Sequence, residues 1–165
     1  MKVARAGRPQ LAIILPDLLI GEYPAPEDVE WLRREHGVSA VLSLQDEADL
    51  DSKGLELTAL EAAYQAQALR FDRVPIPDGD VDSLDARLDE ALAVLRQLHS
   101  QGQRVYLHCN AGMNRAPTVA IAYLHTQRGM SLAAARDFVK ARRACVPYMQ
   151  ILEVRFKAAP SDHKG

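Results

Sequence analysis

Five residues separate Cys109 from Arg115, with His108 just before the cysteine and Gly112 in the middle of the gap. A thiol and a permanently charged, planar guanidinium at this spacing suit the capture and transfer of a phosphate group. A free cysteine titrates near about 8.5 and is a weak nucleophile at neutral pH. A loop wound around the sulfur would point successive backbone N–H groups inward, and a helix starting behind it would add the positive end of its dipole. Both favour a thiolate and a bound phosphate. The amides concerned belong to Asn110, Ala111, Gly112, Met113, Asn114 and Arg115, so residues 110–114 are the expected substrate-binding loop. Gly112 is read as a turn where a side chain would crowd the anion. Arg115 can grip two phosphate oxygens at once and follow them into the transition state. Pro117 falls in the first turn of the helix, where its missing N–H costs little.

Cleaving a phosphate ester also requires a proton donor for the leaving alcohol. Asp78, in Val74-Pro-Ile-Pro-Asp-Gly-Asp, sits on a loop with Pro77 and Gly79, 31 residues before Cys109. It would protonate the leaving oxygen and then act as base for the water that cleaves the cysteinyl phosphate. Asp80 is the reserve candidate, and Asp82 ranks behind it.

These groups need an alternating framework. Strand-like runs occur at Leu11–Leu15, Leu18–Ile20, Val38–Leu44, Leu69–Ile76 and Arg104–His108. Helices are expected from Pro26 to Gly37, after a Thr58/Glu61 capping box, and after Asp82 or Ser83 with leucines at 84, 88, 92, 95 and 98. Others are expected from about Ala116 to Arg128, after Ser131, and near Met149. The pattern predicts an α/β domain with a mostly parallel sheet of about five strands and about six helices. The domain would span residues 1–165, with an ordered core of about 10–157.

Several residues have plainer readings. His108 should point away from the sulfur's side and hold the loop by hydrogen bonding. Cys145 reads as a packed cysteine, and Arg142 and Arg143 as cations completing the last turn of a helix. His36 and His99 lie near helix ends, where their charge suits the dipole.

The composition excludes some partners. Net charge is −2, with 20 basic and 22 acidic residues, so no general attraction to nucleic acid or membrane follows. Two widely spaced cysteines suggest neither a disulfide scaffold nor a metal site, and a reducing cytoplasm fits them. No apolar run approaches a membrane span. No cofactor is implied, and the oligomeric state is not encoded in any visible feature.

His108-Cys109-x-Ala111-Gly112-x-x-Arg115 resembles the signature loop of protein tyrosine phosphatases, in particular their dual-specificity branch. Asp78 occupies the place of that group's general acid. The resemblance implies a phosphocysteine mechanism, a five-stranded α/β fold and a phosphoprotein substrate. The stretches Pro16–Gly21, Pro26–Val29 and Leu42–Gln45, with Arg115-Ala116-Pro117, are similar to glucan phosphatases, namely the plant starch phosphatases and the laforin group. Phosphorylated carbohydrate is therefore the alternative substrate. The chain departs from these patterns at Asn114, where glucan phosphatases carry Gly, and at Gly79, where the plant enzymes carry an aromatic. It also has Ala116 where the wider family carries Ser or Thr. A rhodanese-like sulfurtransferase, with a shorter loop sized for sulfur, is a third possibility.

Overall fold

The computed structural model describes residues 7–157. The expectations for residues 1–6 and 158–165 lie outside the described residues.

The strands are β1 (Leu11–Leu15), β2 (Leu18–Gly21), β3 (Ala40–Ser43), β4 (Arg70–Arg73) and β5 (Val105–His108). They form one sheet in the order β1-β2-β5-β3-β4. β1 pairs with β2 antiparallel, and the other pairings are parallel. β5 is central, flanked in register by β2 and β3, with His108 opposite both Gly21 and Ser43. The chain leaving β5 therefore emerges at the carboxyl edge of the sheet, where open α/β sheets place their ligands.

Seven α-helices are present among the described residues: α1 (Val29–His36), α2 (Glu47–Lys53), α3 (Leu57–Ala66), α4 (Val81–Ser100), α5 (Arg115–Arg128), α6 (Leu132–Arg142) and α7 (Met149–Arg155). Alternating strand residues divide the core between the two sheet faces, as the pleat dictates. Leu18, Ile20, Leu42, Val105 and Leu107 pack with the leucine stripe of α4 and the buried side of α5. Leu19, Val41 and Tyr106 pack on the other face with Leu32 and Tyr64. α5 is buried continuously from Arg115 to Leu124, so it arises inside the molecule as an extension of β5.

The structure corrects several expectations about local detail. α2 was not expected. Its segment, Glu-Ala-Asp-Leu-Asp-Ser-Lys, has little apolar periodicity, and it is held by a reciprocal capping box between Asp46 and Asp49. Thr58 and Glu61 do not start α3, whose N-cap is Glu56. α4 is capped by Asp80, not by Asp82 or Ser83, because the Asp80 carboxylate accepts from the Ser83 N–H. Pro26–Asp28 forms a 3-10 turn ahead of α1, and Gly37 closes α1 in a left-handed conformation. Residues 8–10 are held in place: Arg8 bonds Glu27 O and Asp28, and the Gln10 N–H bonds Glu22. No helix among the described residues is long and apolar enough to cross a membrane.

Candidate active site

Cys109 is the first residue beyond β5, and Arg115 opens α5. Each carbonyl from Cys109 to Asn114 has a hydrogen-bond partner. Cys109 O meets His108 Nδ1 at 3.0 Å, and Asn110 O accepts from the Tyr23 N–H at 3.0 Å. Arg143 donates to Ala111 O at 2.6 Å and to Gly112 O at 2.9 Å. Met113 O accepts from the Val146 N–H at 2.7 Å, and Asn114 O from the Thr118 hydroxyl at 2.6 Å. The amides of residues 110–115 donate to no carbonyl or carboxylate among the described residues. With their carbonyls engaged elsewhere, these N–H groups remain without a protein acceptor among the described residues.

Gly112 has φ +68, and a Cβ there would lie 2.5 Å from the carbonyl carbon of Gly21 and 2.6 Å from its oxygen. The glycine is therefore required because the loop packs against the backbone at the end of β2. Gly112 is not among the residues that line the hollow above Cys109. Gly21 is constrained in turn, since its own Cβ would fall 2.4 Å from Gln10 O.

Arg115 is 1% exposed. Its Nη1 donates to Asp49 Oδ2 at 2.6 Å and to Ile76 O at 2.7 Å. Nη2 lies 3.5 Å from Asp78 Oδ1. Nε is buried with no hydrogen-bond partner among the described residues. The structural contacts thus consume one nitrogen and leave Nε and Nη2, the edge that can take a phosphate bidentately. Burial alone would pull the guanidinium's pKa down. The Asp49 hydrogen bond and the charges of Cys109, Asp49 and Asp78 outweigh it and raise it. For Asp49, burial pushes upward, but the hydrogen bonds from Arg115 and from the Asp46 backbone hold the carboxyl below its ordinary range.

Asp49 is the site residue that sequence reasoning missed. Its Oδ1 also accepts from Asn110 Nδ2 at 2.7 Å, and Gln45 Nε2 donates to Asn110 Oδ1 at 2.8 Å. One carboxylate on α2 therefore positions both the arginine and the first residue of the loop after the cysteine. The available signal was Asp46-x-x-Asp49, a capping-box pattern in an unassigned segment.

Asp78 stands on the loop before α4, with its side chain 58% exposed. It lines a hollow of about 40 Å³ together with Cys109, Asn110, Ala111, Met113, Asn114 and Arg115. That volume accepts a few water-sized atoms. Asp80 is otherwise engaged: its carboxylate bonds the Ser83 N–H at 3.0 Å and the Ser83 hydroxyl at 2.8 Å. These bonds lower its pKa, the Ser83 backbone bond most. Of the three aspartates considered, Asp78 alone lines the hollow. His108 stacks on Tyr106 at 5.7 Å, on the face of the sheet opposite Leu107.

Arg142 and Arg143 behave differently from each other. Arg142 bonds Phe138 O, completing the last turn of α6 as expected. Arg143 reaches out to hold the loop carbonyls, which helix-end reasoning did not foresee. Cys145 is buried in the α4–α5 core, and burial raises its pKa.

Residues 20–153 match the protein family described as dual specificity phosphatase, catalytic domain. The chain is 32% identical over 143 residues to phosphoglucan phosphatase DSP4 of Castanea sativa, covering 85% of this chain and 38% of that protein. It is 30% identical over 133 residues to dual specificity protein phosphatase 2 of Homo sapiens, covering 81% of this chain and 38% of that protein. The chain thus spans well under half the length of either relative. Among solved structures, Tk-PTP in its active form superposes with a TM-score of 0.76 at 24% identity, covering 90% of this chain and 97% of that one.

Proposed function

The chain belongs to the dual specificity phosphatase family, and on that premise we propose that it hydrolyses phosphate monoesters of phosphoproteins through a phosphocysteine on Cys109. The Cys109 sulfur attacks phosphorus as the ester P–O bond breaks. Asp78 gives its proton to the departing oxygen. Arg115 Nε and Nη2 and the loop amides stabilise the charge that spreads over the three equatorial oxygens. Water then attacks the phosphocysteine, Asp78 takes the water's proton, and the S–P bond breaks to release phosphate and the thiolate.

The observation that carries this reading is the divided guanidinium of Arg115. One nitrogen is fixed by Asp49 and Ile76 O, Nη2 lies near Asp78, Nε is buried without a partner among the described residues, and the side chain lines the hollow above Cys109. A buried donor without a partner costs about 1–3 kcal/mol, which an incoming phosphate oxygen would recover. The test pairs aryl and alkyl phosphates in wild type and Asp78→Ala. Alkyl substrates, with poor leaving groups, should lose far more rate than aryl ones; equal losses would remove Asp78 from the acid role.

A second substrate reading is supported by the similarity to phosphoglucan phosphatase DSP4. Phosphate release from amylopectin, measured against a phosphopeptide, separates the two.

A further inference from the structure

Five large apolar side chains stand exposed among the described residues: Ile13, Val81, Met113, Val146 and Val154. Met113 lines the phosphate hollow, Val146 is hydrogen-bonded to Met113 and Asn114, and Val81 and Val154 line a separate groove nearby. The groove encloses about 730 Å³ between the first turns of α4, with Val81, Asp82 and Asp85, and the start of α7, with Tyr148, Ile151 and Val154.

Both walls grow directly out of the catalytic segments. α4 begins three residues after Asp78. The opposite wall is strapped to the catalytic loop by Val146 N–H to Met113 O at 2.7 Å and Asn114 Nδ2 to Val146 O at 2.7 Å, and to α5 by Tyr148 N–H to the Thr118 hydroxyl at 2.8 Å. Tyr148 lines the groove, and its backbone N–H ties it to α5, the helix that Arg115 opens. The charge of the groove is acidic. Arg155 is neutralised by Asp85 at 2.9 Å and Asp89 at 2.6 Å. Asp82 is exposed and has no ion pair among the described residues.

We propose that this groove binds the polypeptide on one side of the phosphorylated residue, packing an aliphatic side chain between Val81 and Val154 and a basic side chain against Asp82. The inference rests on the phosphatase reading and narrows it to peptide substrates. The aliphatic face of Val81, Ile151 and Val154 suits a peptide's aliphatic side chain, for which a glucan has no counterpart. Asp82, without an ion pair among the described residues, adds a charge preference that the neutral hydroxyls of a sugar chain would not exploit.

The test compares kcat/KM for an aryl phosphate with that for four phosphopeptides carrying Leu or Ser and Arg or Glu beside the phosphorylated residue. Burying roughly half of one such aliphatic side chain predicts an advantage of about five- to tenfold for the Leu/Arg peptide. Val154→Asp should abolish the Leu preference, and Asp82→Lys should reverse the charge preference toward Glu. Both substitutions are at exposed positions outside the phosphate hollow and should leave aryl phosphate turnover unchanged. Equal kcat/KM across the peptides overturns the inference. So does an equal loss on aryl phosphate in either variant, or loss on amylopectin with peptide kinetics unmoved. Absence of aryl phosphate turnover in wild type sinks the phosphatase reading and this one together, whereas turnover without peptide preference sinks this one alone.

Discussion

Asp49 Oδ2 and Arg115 Nη1 lie 2.6 Å apart, both side chains almost wholly buried, joining α2 to the first residue of α5 across 66 positions of sequence. Removing one partner from a buried pair leaves an uncompensated charge and costs about 3–5 kcal/mol. Asp49→Asn should destabilise the protein by several kcal/mol and raise KM for aryl phosphates, since the guanidinium loses its anchor. The folded carboxyl titrates below its ordinary value, so its contribution is fully present above the unfolded carboxylate pKa, about 3.9. It is lost as pH falls below that value toward the lower folded pKa. Denaturant titrations should therefore show the gap between wild type and Asp49→Asn constant at pH 5–7 and shrinking below about pH 4.

Gly112 and Gly102 share a positive φ but differ in surroundings. A Cβ at 112 strikes the backbone of Gly21, whereas one at 102 meets nothing within 4 Å. Gly102→Ala should cost about 1 kcal/mol and leave activity intact. Gly112→Ala should cost about 3 kcal/mol through overlap and strain together, and should lower kcat because the loop must lift off β2. Thermal unfolding and aryl phosphate kinetics on both variants check this.

Arg143 holds two loop carbonyls from outside. Replacing it with Met keeps the aliphatic stem and removes the donors. Affinity for vanadate or inorganic phosphate should fall about tenfold, the equivalent of about 1.4 kcal/mol, as the loop amides lose their fixed aim. Unchanged anion affinity with lowered stability would make Arg143 a packing residue only.

The framework of the site was readable because its parts are local. A buried apolar strand, a loop with Cys109, Gly112 and Arg115, and a helix ending at Gly129 are contiguous in sequence, and each has its own signal. Asp49, Arg143 and the Gly21–Gly112 contact were not readable. Each acts across the fold, and its partner is set by sheet order and by which loops meet at the end of β5. α2 escaped for a related reason: with little apolar periodicity, it is held by a cap and by the arginine it supports. Asp80 shows a local ambiguity in reverse. A carboxylate two residues from Asp78 could serve catalysis or start a helix, and the Ser83 hydrogen bonds give it to the helix.

Ala116 supplies no hydroxyl beside Arg115, and the Thr118 hydroxyl is taken by Asn114 O and the Tyr148 N–H. No side-chain hydroxyl on the first turn of α5 is free to assist the departing sulfur. Ala116→Ser should shorten the lifetime of the phosphoenzyme about fivefold, the effect of one net hydrogen bond of about 1 kcal/mol. Rapid-quench measurement of intermediate decay gives the result, and an unchanged lifetime would remove Ala116 from any role in turnover.

The covalent step is tested most directly by acid-quenching the enzyme during turnover of an aryl phosphate and locating the bound phosphate by peptide mass spectrometry. Phosphate should be found on Cys109, chemically as a thiophosphate ester, and should be absent from Cys109→Ser along with all turnover. Continued phosphate release from Cys109→Ser, or phosphate trapped on another residue with Cys109 unmodified, would contradict the assignment.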